Sequence, residues 1–232
     1  MDFLTPIEIE AIILSSRVAL WAMVWSLPLA IGVAWVLARC DFPGKSLLDG
    51  LVHLPLVLPP VVVGYVLLIG LGRKGVLGGW LFDVFGISFA FSWRGAAIAS
   101  GLIAFPLVVR AIRLSLEAVD RRLEDAARTL GAGPLGIFFT ITLPLIAPGI
   151  LAGSILGFAR SLSEFGATIT FVSNIPGETR TLPIALYSFT QVPGGEAAAM
   201  RLVVIAIIIA FAALAASEIL ARRLQRRLGG AS

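Results

Sequence analysis

A series of apolar runs, each long enough to cross a lipid bilayer, limits this chain's possible folds more than any other feature. A helix needs about 20 apolar residues to span a hydrocarbon core of ~30 Å. Five runs approach or exceed that length: Ile9–Ala38, Leu47–Leu71, Ala96–Leu114, Leu145–Val172 and Met200–Ala221. In lipid, backbone polar groups must be satisfied internally, which helices achieve. The chain is 58% hydrophobic and 14% charged. Soluble domains carry roughly 45–50% apolar and about 25% charged residues. The expectation is an all-α polytopic membrane bundle of about five to six transmembrane helices. It is read as one transmembrane domain over residues 1–232. Trp80–Phe91 is apolar but short, and Asp83 and Gly86 interrupt it, so it reads as a half-buried outer loop.

The distribution of lysine and arginine orients the spans. One side collects Arg39, Lys45, Arg110, Arg113, Arg121, Arg122, Arg128, Arg222, Arg223, Arg226 and Arg227. The other holds Arg73, Lys74, Arg94, Arg180 and Arg201, while Arg17 and Arg160 lie within spans. The richer side is expected in the cytoplasm, with the N-terminus outside and the C-terminus inside. The net charge of +4 does not argue for nucleic acid, because its basic residues sit in short loops beside apolar runs. The N-terminus, MDFLTPIEIE, is acidic where a cleavable signal starts basic, so no signal peptide is expected. A single cysteine, Cys40, excludes an internal disulfide and a cysteine metal cluster.

One long polar island stands out, Ser115–Pro144. Leu116, Val119, Leu123, Ala126, Ala127 and Leu130 recur three to four apart, which predicts one face of a single amphipathic helix. Glu117, Asp120, Arg121, Arg122, Glu124, Asp125 and Arg128 fill its other faces. Gly131-Ala132-Gly133-Pro134 then ends it, since glycine takes the left-handed C-terminal conformation and proline cannot continue the ladder. Such a helix between two membrane-length runs belongs at the water boundary, with one face turned outward.

Ala126-Ala127, three residues, Gly131, nine residues, then Ile141-Thr142-Leu143-Pro144 resembles the EAA loop of ATP-binding-cassette importer permeases. The glutamate that names that motif falls on Asp125, with Glu124 just before it. CDFPGKSLLDGLVHLPLVLPPVVVGY and RSLSEFGATITFVSNIPGETRT are similar to permeases of molybdate importers in particular. Sulfate permeases share the pattern more loosely. The resemblance implies a type I importer permease fold in a bacterial inner membrane, as a homodimer around one pathway. It also implies a cytoplasmic ATPase subunit that receives a coupling helix and an external binding protein that delivers the oxyanion. The coupling residues would be Glu124, Asp125, Ala126, Ala127, Thr129, Leu130 and Gly131. ATP would be held by the partner, and this chain would bind no cofactor or metal and do no covalent chemistry.

Other features are weighed on their residues. Pro55, Pro59 and Pro60 remove backbone donors and should break the second run, either against a pathway or as a plain kink. Gly149, Gly153 and Gly157 suit close helix packing, within the chain or at a dimer seam. Arg160, Ser161, Ser163, Glu164, Thr168 and Thr170 put costly polarity in or beside a span. Ser161, Ser163, Glu164 and Thr168 are the candidates for a translocation path, while Arg160 could instead pair with Glu164 one turn on. Trp21, Trp25, Trp80, Trp93 and Tyr65 read as core or interfacial anchors. Gly44-Lys45-Ser46 lacks the upstream glycine of a phosphate loop, because position 39 is Arg39. His53, the only histidine, has no nucleophile motif or ligand cluster beside it, which disfavours an intramembrane hydrolase and a metal site. A sulfate or tungstate permease and an ATP-independent channel or secondary transporter remain as alternatives.

Overall fold

The computed structural model describes residues 4–229, with the side chains of residues 217 and 221–229 left aside. Met1–Phe3 and the side chains of Arg222, Arg223, Arg226 and Arg227 therefore lie outside the description. The chain is built of helices: α1 (Pro6–Arg39), α2 (Lys45–Val57), α3 (Pro60–Leu71), α4 (Val76–Phe85), α5 (Trp93–Ala118), α6 (Arg121–Thr129), α7 (Pro134–Ile137), α8 (Leu143–Leu162), α9 (Gly166–Val172), α10 (Leu182–Thr190) and α11 (Glu196–Gly229). A π-helical turn, Phe138–Thr142, joins α7 to α8. Among the described residues, four helices are long and apolar enough to cross a membrane, or five if the bent pair α2–α3 counts as one. The all-α polytopic expectation holds.

The first span begins where local chemistry favours it. The Thr5 hydroxyl accepts from the Glu8 amide while the Glu8 carboxylate accepts from the Thr5 amide, a capping box, with Pro6 starting the helix. Glu8 is fully buried, and Arg201 of α11 donates to its carboxylate at 2.9 Å. This pair ties the first span to the last.

The centre of the bundle is α1 against α5, with α8 across both. Small residues dominate that contact: Ala19, Ala22, Ala30 and Ala34 of α1 and Ala96, Ala99 and Ala104 of α5 are fully buried. Water provides little drive between helices in lipid, so close backbone approach and dispersion carry the packing. The glycine stripe of α8 belongs to this scheme. A Cβ at Gly153 would stand 3.2 Å from Ala111 Cβ, and one at Gly157 would stand 2.5 Å from Val108 Cγ2. The stripe therefore packs on α5 of the same chain.

Several boundaries differ from the sequence expectation. The second run breaks at Leu58–Pro59, and α2 and α3 meet at 112°. Pro59 caps α3 and Pro60 is its first residue, but Pro55 stays inside α2 and does not end it. The fourth run, expected at Leu145–Val172, starts earlier and stops sooner. Helical structure is continuous from Pro134 to Leu162, and Ser163–Phe165 turns the chain into the separate α9. The expected outer loop at Trp80–Phe91 contains most of α4, which Gly86 ends in the left-handed conformation at φ +66°. Its ten residues are too few to span a bilayer.

Candidate functional site

The polar island folds as two helices rather than one. Leu116 and Val119, expected on the amphipathic face, belong to the end of α5, where they are buried among α1, α2 and α8 residues. Val119 is extended, at φ −75° and ψ 125°, and the chain turns there. Asp120 then caps α6 by accepting from the Arg122 amide at 2.9 Å. Aspartate favours this position because its carboxylate satisfies an orphan amide and complements the helix dipole. Asp120 thus starts a helix instead of lying on the polar face of a longer one.

The end of α6 follows the sequence expectation. Gly131 has φ +85°. Its amide donates to the Arg128 carbonyl at 3.0 Å and the Ala132 amide donates to the Ala127 carbonyl at 3.0 Å. These two bonds form a Schellman stop, which requires a residue that tolerates positive φ.

The side chains of α6 divide into two sets. Leu123 and Leu130 face solvent, at 50% and 88% exposure, and Ala126 lies exposed between them. Exposed apolar side chains at this spacing on a nine-residue polar helix form a surface suited to a partner. Asp125 stays outside with them and accepts from Arg128 at 3.0 Å, both side chains 63% exposed. Thr129 is exposed too, its hydroxyl donating back to the Ala126 carbonyl. The pair is worth little to stability because water screens it.

The inward set is Glu124 and Ala127, the two buried residues of α6. Glu124 Oε1 accepts from Arg39 Nη2 at 3.1 Å and from the Thr142 hydroxyl at 2.9 Å. Arg121 Nη2 donates to the Ala38 carbonyl at 3.1 Å. These contacts border a cleft of about 340 Å³ lined in part by Trp35, Arg39, Arg128, Phe138 and Thr142. Glu124 and Ala127, grouped in sequence with the outward coupling residues, thus point into the body of the protein. Arg39 and Thr142 were missed as parts of this site. Their signals were an arginine ending the first span and a threonine inside the Ile-Thr-Leu-Pro segment.

The candidate pathway residues take three different positions. Ser161 is buried and donates to the Ser100 carbonyl at 3.4 Å. Glu164 is 2% exposed, with Oε1 accepting from the Ala167 amide at 2.8 Å and Oε2 lying 2.9 Å from Arg160 Nη1. Thr168 is fully buried and bonds to the carbonyls of Glu164 and Phe165. Ser163 is exposed beside a mainly apolar cleft formed with Leu182, Pro183, Leu186 and α11 residues. Arg17, the other arginine within a span, lies 3.8 Å from the centre of the Trp93 ring. The cation there is held by the π face.

A second polar group lies between α2 and α5. Asp49 accepts from Arg113 at 3.0 Å, and His53 Nδ1 lies 3.3 Å from the same carboxylate. Among the described residues, no group of histidine, cysteine or carboxylate side chains could hold a metal.

Residues 26–230 match the family described as the binding-protein-dependent transport system inner membrane component. The chain is 62% identical to the Haemophilus influenzae "Molybdenum transport system permease protein ModB", over 96% of this chain and 97% of that one. It is 61% identical to the Escherichia coli K12 protein of the same name, over 97% and 99%. The fold is similar to that in the "Crystal structure of a bacterial ABC transporter involved in the import of the acidic polysaccharide alginate". There the TM-score is 0.74 at 18% identity, covering 95% of this chain and 81% of that chain.

Proposed function

Because this chain belongs to the binding-protein-dependent transport system inner membrane component family, we propose that it forms the membrane pathway of an ATP-binding-cassette importer for molybdate. The observation that carries the reading is near-complete coverage at 61–62% identity by relatives named as molybdenum transport permeases. The chain is a multi-pass membrane permease, and its work is mechanical. ATP is bound and hydrolysed on a separate cytoplasmic subunit, and an external binding protein supplies the anion. Two copies of this chain enclose one path.

In this reading α6 lies in the cytoplasm. The N-terminus is outside and the C-terminus inside, with α1, α2–α3, α5, α8 and α11 as successive crossings. Leu123, Asp125, Ala126, Thr129 and Leu130 are offered to the ATPase, and Gly131 sets where that surface ends. ATP binding closes the ATPase pair, α6 moves with it, and the spans switch the path between its two openings. The anion is passed by hydroxyls and backbone amides. A deep unpaired arginine would hold a dianion too firmly in a low dielectric, and Arg160 and Arg17 are already engaged. Ser163 is the exposed member of the pathway set, with Ser161, Glu164 and Thr168 behind it.

The test is reconstitution with the ATPase and binding protein. Molybdate-loaded binding protein should stimulate ATP hydrolysis and drive uptake into vesicles. Solute movement by the chain without an ATPase would overturn the reading in favour of a channel or secondary transporter. A sulfate permease is the second reading, favoured by 38% identity to a Helicosporidium "Probable sulfate transport system permease protein cysT" over 74% of this chain. Stimulation by sulfate-loaded but not molybdate-loaded binding protein would select it.

A further inference from the structure

We propose that Glu124 is a positioning residue that locks the coupling helix to two spans at once, while its neighbour Asp125 serves the outer, partner-facing surface. This rests on the permease reading above and assigns the adjacent carboxylates different tasks. Consecutive residues on a helix lie about 100° apart, so they cannot face the same way. Here Asp125 is turned to solvent and Glu124 inward.

Three observations carry the assignment. First, α6 is flanked by non-helical breaks, the extended Val119 on one side and the left-handed Gly131 on the other. Backbone continuity alone would transmit its motion poorly. Second, Glu124 and Ala127 are its buried residues, and Ala127 offers only a methyl group. Third, a single carboxylate oxygen of Glu124 takes both Arg39, at the end of α1, and Thr142, at the end of the π turn leading into α8. Arg39 Nε is buried without a hydrogen-bond partner among the described residues, so the link to Glu124 is that guanidinium's principal anchor. Arg121 adds a second grip on α1 through the Ala38 carbonyl. A buried, charge-assisted junction of this kind has one favourable arrangement and resists intermediate ones. Displacing α6 therefore moves the ends of α1 and α8 together.

The test uses the reconstituted complex and compares E124Q, T142V, R39E, E124R and the exchange R39E/E124R. One readout is the ratio of ATP hydrolysis with and without molybdate-loaded binding protein. The other is the fraction of permease that co-purifies with the ATPase. E124Q is expected to co-purify but to lose about tenfold in the ratio, with T142V losing less. The exchange variant should recover stimulation relative to either single charge variant. A purely local folding role would instead appear as lost assembly in E124Q. The proposal is overturned by wild-type stimulation in E124Q, by lost assembly there, or by no recovery in the exchange. If the wild-type chain neither binds the ATPase nor responds to loaded binding protein, the permease reading itself fails.

Discussion

Glycine at position 131 is required by backbone geometry, with φ at +85° and open space where a Cβ would stand. Gly131→Val should cost about 1–3 kcal/mol through conformational strain alone. The expected outcome is a shifted end to α6 and reduced co-purification with the ATPase, with membrane insertion intact. Leu130 makes the complementary case. At 88% exposure, Leu130→Asp should change stability by no more than about 0.5 kcal/mol, yet abolish stimulated ATP hydrolysis. Unchanged stimulation would remove Leu130 from the docking surface. At this scale the motif was legible because spacing defines it. Which acid faces which way was not, since that depends on how α6 is set against Arg39 and Thr142.

Among the elements, the long apolar helices were readable from run length, and their interruptions were not. The sequence pattern of Leu116, Val119 and Leu123 is continuous, but Asp120 offers its carboxylate to the next turn and splits the helix there. The reverse happened at Pro55, where proline near the end of α2 is tolerated and the break falls at the next two prolines. The polar stretch from the end of α8 stands out by composition, but its groups satisfy the short α9 as well as one another. A labelling experiment separates the pathway candidates. A cysteine replacing Ser163 should react with a small water-soluble thiol reagent, whereas one replacing Thr168, fully buried here, should react only if a nucleotide-driven change exposes it. Labelling of the Thr168 variant at the same rate in every state would contradict the arrangement described. The α8 stripe allows a further check. Gly153→Leu must push against Ala111 and Val108, and overpacking should destabilise the detergent-solubilised protein by about 1–3 kcal/mol in thermal unfolding.

For the whole molecule, the arrangement of α1 is decisive. Its middle packs on α5 and α8, its beginning is held by Arg201 and its end by Glu124. Arg201→Ala leaves the Glu8 carboxylate without its cation but still bonded to Thr5, and losing the charged partner of a partly exposed pair costs about 1–2 kcal/mol. Lower thermal stability, with α11 more open to proteolysis, is the outcome to look for. The π turn at Phe138–Thr142 has a consequence on the same scale. It holds one residue more than a regular turn of this helix would need. Deleting that surplus would let the ladder close as ordinary α-helix, and because a wide turn absorbs its extra residue locally, the helix on either side would keep nearly the same direction. The wide turn itself would change, and its last residue, Thr142, is the one whose hydroxyl donates to Glu124, so this small irregularity bears on α6 through a single oxygen.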